Sequence, residues 1–198
     1  MFMKITLLFY LTLQTLTAQD LMNPEEFFKA LETYPENYTA GNVITRWIDG
    51  IGYRYYWATE GLTASDYAYT PSASSRTVYE TLEHIYGLAS MLAHTAEEKE
   101  NVRPLPAQPK TAVDLRKQTL ALLLTAREAF SGKTAAALEK MVLTINRKGK
   151  VMQFPLWHLF NGPGADALYH IGQVVSFRRA NGNPIDSKVN VFMGKNNN

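Results

Sequence analysis

Four long segments of this chain repeat apolar residues at intervals of three and four, and this helical spacing is the strongest constraint on its fold. The clearest segment, RTVYETLEHIYGLASMLAHTAEE, places four apolar side chains on one face: Val78, Leu82, Ile85 and Leu92. The others cover residues 39–62, 112–132 and 165–182. Amphipathic helices bury their apolar faces against one another, so the sequence predicts an all-α four-helix bundle.

The connection between the second and third of these helices determines the predicted topology. The stretch KENVRPLPAQPK contains three prolines, which favour a stiff, extended chain. At roughly 3.3 Å per residue, such a connection can run the length of a bundle of about 30 Å. We therefore expect the second and third helices to be parallel, in an up-down-down-up arrangement. Further along, MVLTINRKGKVMQF alternates around RKG and predicts a small hairpin.

The first residues, MFMKITLLFYLTLQTLTAQD, have the pattern of a secretory signal peptide. Lys4 supplies the positive charge, an apolar run follows, and small residues end at Ala18. The apolar run is shorter than the roughly 20 residues that span a bilayer, so we expect no stable membrane insertion. The prediction is a signal peptide over residues 1–18, removed near Ala18, and one domain over residues 19–198. That domain would be secreted or periplasmic; a retained anchor is the alternative.

Composition excludes several kinds of chemistry. The chain has no cysteine, which excludes disulfides, thiolate metal ligands and a cysteine nucleophile. Its net charge of +2, with no long basic run, gives no support for nucleic-acid binding. Histidine, aspartate and glutamate are therefore the side chains available to hold a metal.

The candidate site begins with the stretch DALYHIGQVVSFRRANG in the last helix. Asp166 and His170 are four residues apart and share one helical face. His84 lies close to the apolar stripe of the second helix. If these two helices are antiparallel, His84 and His170 lie roughly 14 and 16 Å from the same end of the bundle, which puts them level.

Two histidines and one carboxylate can bind a divalent first-row ion, such as Zn, Ni, Mn or Fe, and leave positions open for water or substrate. The alternative is a core histidine paired with an acid and no metal. Glu80 is either an orienting hydrogen-bond partner of His84 or a solvated helix residue. His158 could approach the site if the NGPG break turns the chain back.

The segments ETLEHIYGL and DALYHIGQVVSFRR resemble those of the DinB/YfiT-like superfamily of bacterial four-helix-bundle proteins, and the resemblance covers about residues 38–184. In that family one histidine on the second helix and two on the last, four apart, bind a divalent metal. The second of that pair precedes a short x-Gly-Gln. The resemblance gives His84 and His170 two of these positions, and Asp166 stands where the family usually has a histidine.

The better-understood relatives are metal-dependent transferases or isomerases that act with low-molecular-weight thiols, and related hydrolases. Together with the signal-peptide pattern, the resemblance implies an exported metalloprotein that acts as a hydrolase or transferase on a small molecule. The exported location argues against a cytosolic thiol cosubstrate. The aromatic first helix would wall the pocket, through Trp47, Tyr53, Tyr55, Tyr56 and Trp57. The alternative is a non-catalytic bundle that binds a ligand or partner, with the aromatic surface forming a homodimer interface and the polar triad as a remnant.

Overall fold

The computed structural model describes residues 22–198, so the predicted signal peptide lies outside the described residues. None of the helices in this part of the chain is long and apolar enough to cross a bilayer. The protein is mostly helical, with four long helices and several short ones. The helices are α1 (Pro24–Lys29), α2 (Ala40–Thr59), α3 (Ala64–Ala68), α4 (Val78–Ala96), α5 (Ala112–Phe130), α6 (Ala135–Leu138), α7 (Trp157–Leu159) and α8 (Ala165–Ala180).

Local capping explains where the long helices begin. Thr39 accepts from the N–H of Asn42 at the start of α2, and Thr111 does the same for Asp114 at the start of α5. At α4 the N-cap is Thr77, in a capping box whose second member is Glu80. These side chains satisfy backbone N–H groups that the first turn of a helix leaves unpaired.

Helix α2 packs against α5 and α8, and the contacts fix their directions. The end of α2 meets the start of α5, where Arg116 Nη2 lies 2.7 Å from the Glu60 carboxylate, so α2 and α5 are antiparallel. The end of α2 also meets the end of α8. There the buried guanidinium of Arg178 donates to the carbonyl oxygens of Ala58 and Glu60, at 3.0 and 2.8 Å. Helices α2 and α8 are therefore parallel.

Helix α4 packs against α5 and α8 and runs antiparallel to α8. Phe177, near the end of α8, stacks 6.2 Å from Tyr69, whose carbonyl accepts the N–H of Val78 at the start of α4. It follows that α4 and α5 point the same way. The core between the four long helices is continuous, and its largest fully buried side chains include Phe28, Ile48, Tyr53, Tyr55, Ile85, Leu120 and Phe130.

A small sheet adds strands to the helices, so the predicted all-α class is not confirmed. Strands β2 (Val142–Arg147) and β3 (Lys150–Pro155) form the predicted hairpin, turning at Lys148 and Gly149, which both have positive φ. A third strand, β1 (Asn101–Arg103), pairs in parallel with β2. It lies inside the connection between α4 and α5 that was predicted to be simply extended.

A buried carboxylate ties α3 to the segment after α8. Asp66 accepts hydrogen bonds from Asn181 and Asn183 Nδ2, at 2.8 and 2.7 Å, and from the N–H of Thr63 at 2.8 Å. Burial disfavours the charge of Asp66, but these hydrogen bonds outweigh it and hold its pKa at about 2, below the ordinary 3.8. This network fixes the C-terminal end of α8.

Candidate metal centre

The structure brings the three sequence-predicted ligands together between α4 and α8. His84 Nε2 lies 3.0 Å from one oxygen of Asp166, and His170 Nε2 lies 3.3 Å from the other. The two imidazole rings are perpendicular, with centroids 4.6 Å apart. One ligand atom from each of the three residues lies within 4.8 Å of the other two.

The chain reaches this geometry through a break just before α8. The segment Phe160–Gly164 forms a π-helical turn, and Gly162 has non-helical backbone angles. Gly164 lies so close to the Trp47 ring that an added Cβ would stand 1.8 Å from it. This contact fixes the start of α8, and Asp166 and His170 then follow one helical turn apart on the face toward α4.

Gln173 orients His170, a role that the sequence did not identify. Its side-chain oxygen lies 2.7 Å from His170 Nδ1. Because an amide oxygen only accepts hydrogen bonds, Nδ1 carries a proton, and Nε2 is the ring nitrogen that faces Asp166. The i, i+3 spacing on a helix was the available signal, since residues three apart are neighbours on one face.

The cluster has a buried side, formed by His170, and a partly exposed side, formed by His84 and Asp166. The His170 side chain is 11% exposed, whereas those of His84 and Asp166 are 33% and 43% exposed. Partial burial lowers the pKa of His84, and its hydrogen bond with Asp166 only partly offsets this. At neutral pH the imidazole of His84 is therefore neutral. Because His84 and Asp166 are partly exposed, water or a small molecule can reach the cluster from their side.

The residues present fit a divalent ion. The two histidine–aspartate distances, 3.0 and 3.3 Å, run to different oxygens of Asp166, and one ligand atom from each of the three residues lies within 4.8 Å of the other two, so a single ion could be held by all three. Two imidazole nitrogens and one carboxylate suit borderline first-row ions. The cluster could hold such an ion, and the solvent-facing side leaves coordination positions open.

Two other sequence candidates lie outside this cluster. The carboxylate of Glu80 accepts from the N–H and hydroxyl of Thr77, at 2.7 and 3.0 Å, so it caps α4 and does not orient His84. His158 is exposed, with its ring 5.4 Å from that of Phe154, and is not part of the three-residue cluster.

The aromatic side chains of α2 do not wall the metal cluster as predicted. Trp47 and Trp57 line a cavity of about 540 Å³ between α2, α8 and the C-terminal segment, whereas Tyr53 and Tyr55 are buried in the core. The cluster instead opens, through His84, into a separate groove of about 330 Å³ beside α4. A molecule bound in this smaller groove would reach the cluster at His84.

Comparison with models of known protein families, with curated proteins and with solved structures finds no match to this chain.

Proposed function

We propose that this protein is an exported, DinB-like four-helix-bundle metalloprotein that acts as a hydrolase or transferase on a small molecule. In this proposal His84, Asp166 and His170 bind one divalent ion of the Zn, Ni, Mn or Fe class. The observation that carries it is the convergence of these side chains, with Gln173 directing Nε2 of His170 toward the other two. The resemblance of the two helical segments and the up-down-down-up helix directions support it.

The residues at the site would have different roles in metal binding. Gln173 keeps His170 in the tautomer that can bind a metal, and Asp166 supplies the negative charge. To bind a metal through Nε2, the neutral imidazole of His84 would have to move the proton that this nitrogen shares with Asp166 to Nδ1, with no net release of a proton. When bound, a divalent ion supplies a Lewis acid that lowers the pKa of a coordinated water or substrate nucleophile.

The direct hydrogen bond between His84 and Asp166 also favours a second candidate, the non-catalytic bundle. A 3.0 Å contact satisfies both groups without any ion. In that case the three side chains join α4 to α8 and the protein binds a ligand or partner elsewhere. The two candidates differ in what removal of one cluster residue does to metal uptake.

Metal uptake by purified protein tests the proposal. The protein is stripped with a chelator, titrated with Zn, Ni, Mn or Fe(II), and compared with His84→Ala, Asp166→Ala and His170→Ala. We expect about one ion per wild-type chain and at least a tenfold loss of affinity in each variant. His158→Ala is the matched control, because it removes an exposed histidine outside the cluster. A wild-type protein that takes up no ion, or equal uptake in all four variants, refutes the proposal.

A further inference from the structure

The groove beside the cluster has a basic side chain as well as His84. The groove lies between α4 and the residues that follow β1, and apolar atoms of Leu88, Met91 and Leu105 line it. Arg103 and His84 both line the same groove of about 330 Å³. A small molecule that fills this space therefore contacts a guanidinium and one of the cluster histidines together.

Arg103 is held in place but its charge is not neutralised. Its Nη2 donates to the carbonyl oxygen of Gly87 at 2.7 Å, which uses one of five N–H donors. Among the ion pairs of residues 22–198, none involves Arg103. The groove also contains Glu83, and it makes no ion pair with Arg103. The guanidinium thus has donors and charge available for an anion.

The surroundings of Arg103 favour a negatively charged ligand. Its side chain is half-buried, and Arg147 occupies the paired position on the neighbouring strand β2. Burial, and then the charge of Arg147, lower the pKa of Arg103, which means that the cation is under-solvated and repelled in the free protein. A bound carboxylate or phosphate would relieve both effects.

We propose that the groove is the substrate subsite of the metal centre, with Arg103 binding the anionic end of a small amphipathic substrate. The apolar side chains contact the body of that substrate, and its reactive group lies at the cluster beside His84. Carboxylate and phosphate ends share the chemistry that Arg103 recognises. This inference rests on the proposed function, because the subsite has a reaction to serve only if the cluster binds metal.

A two-ended probe tests the subsite. Alkyl hydroxamates bind divalent metals, so a series of increasing chain length is made with a terminal carboxylate, a terminal phosphonate or a terminal amide. Binding to the Zn-loaded protein is measured by displacement calorimetry. At the best length we expect at least one of the two acids to bind about tenfold or more tightly than the amide of the same length, as for a charge-assisted hydrogen bond. The acid that binds more tightly shows whether the subsite prefers a carboxylate or a phosphate-like group.

Variants assign the preference to Arg103. In Arg103→Gln the advantage of the acid over the amide should disappear, while affinity for the amide stays within about twofold of wild type, which shows that the fold and the metal are intact. Arg103→Lys should restore part of the advantage. Arg147→Gln, which removes an exposed charge outside the groove, should change it by less than about threefold.

The outcomes separate the two proposals. If Zn binds but the acids and amide bind equally at every length, or the preference survives in Arg103→Gln, the subsite is refuted and the metal centre stands. If the protein takes up no metal, both are refuted. An acid preference that is lost only in Arg103→Gln and partly restored in Arg103→Lys supports the subsite.

Discussion

Replacing Gln173 with methionine tests whether Gln173 orients His170 for the proposed metal binding. Methionine keeps the length and helix preference of glutamine but offers no strong acceptor, so the 2.7 Å hydrogen bond to His170 Nδ1 is lost. The imidazole is then free to rotate or to change tautomer. We expect metal affinity to fall by about 10–100-fold, which is the usual effect of removing such a partner.

The burial of His170 is consistent with an effect of that size. The His170 side chain is only 11% exposed, so water cannot fully replace the lost acceptor. An unsatisfied buried donor costs about 1–3 kcal/mol, and about 1.4 kcal/mol corresponds to a tenfold change in affinity. In the metal-free variant the imidazole can rotate or change tautomer, so the lost acceptor should cost less there than in the metal-bound protein, where Nδ1–H stays unpaired.

Competition with a chromophoric chelator at pH 7 measures the affinity. Gln173→Glu keeps an acceptor at the same position and should bind metal at least as tightly as wild type. Gln153→Met is the matched control, since Gln153 is exposed on β3 and is not part of the three-residue cluster. If the affinity of Gln173→Met stays within about twofold of wild type, the orienting role is wrong.

Three further predictions concern folding and the ligand set. Asp66→Asn should lower the unfolding free energy by about 2 kcal/mol at pH 7, measured by urea titration. Because the folded pKa of Asp66, about 2, lies below the ordinary 3.8, the difference in unfolding free energy between wild type and variant should vanish as the pH falls from 4 to 2. A difference that stays constant over this pH range would contradict the prediction. Gly164→Ala should cost about 1–3 kcal/mol in the same assay, since its Cβ would overlap the Trp47 ring. Asp166→His should still bind metal but should lower the melting temperature of the metal-free protein, measured by circular dichroism with and without chelator.

Features that depend on neighbours in sequence could be predicted. Asn23 and Pro24 begin α1, and Thr111 with Asp114 begins α5, because capping needs only residues within one turn. The proximity of the three cluster residues was predictable for a similar reason. Four-residue spacing joins Asp166 to His170, and rise per residue is enough to place His84 level with them.

Features that depend on distant partners were missed. Strand β1 is three residues long in a proline-rich stretch, and it exists because β2, some forty residues later, offers its edge. Glu80 was a candidate partner of His84, yet the Thr77 cap lies closer along the chain and takes its carboxylate. The spacing of the aromatic residues in α2 predicted a helix face, but not that this face would line a cavity on the far side of α8.

Asp166, which stands where the DinB/YfiT-like pattern has a histidine, has a physical advantage at this position. A carboxylate has two oxygens, and Asp166 turns one toward His84 and the other toward His170, so a single side chain contacts both histidines before any ion arrives. A histidine there would present one ring nitrogen and could not contact both. Asp166 therefore preorganises the donors and joins α4 to α8, which lowers the cost of assembling the site when metal binds.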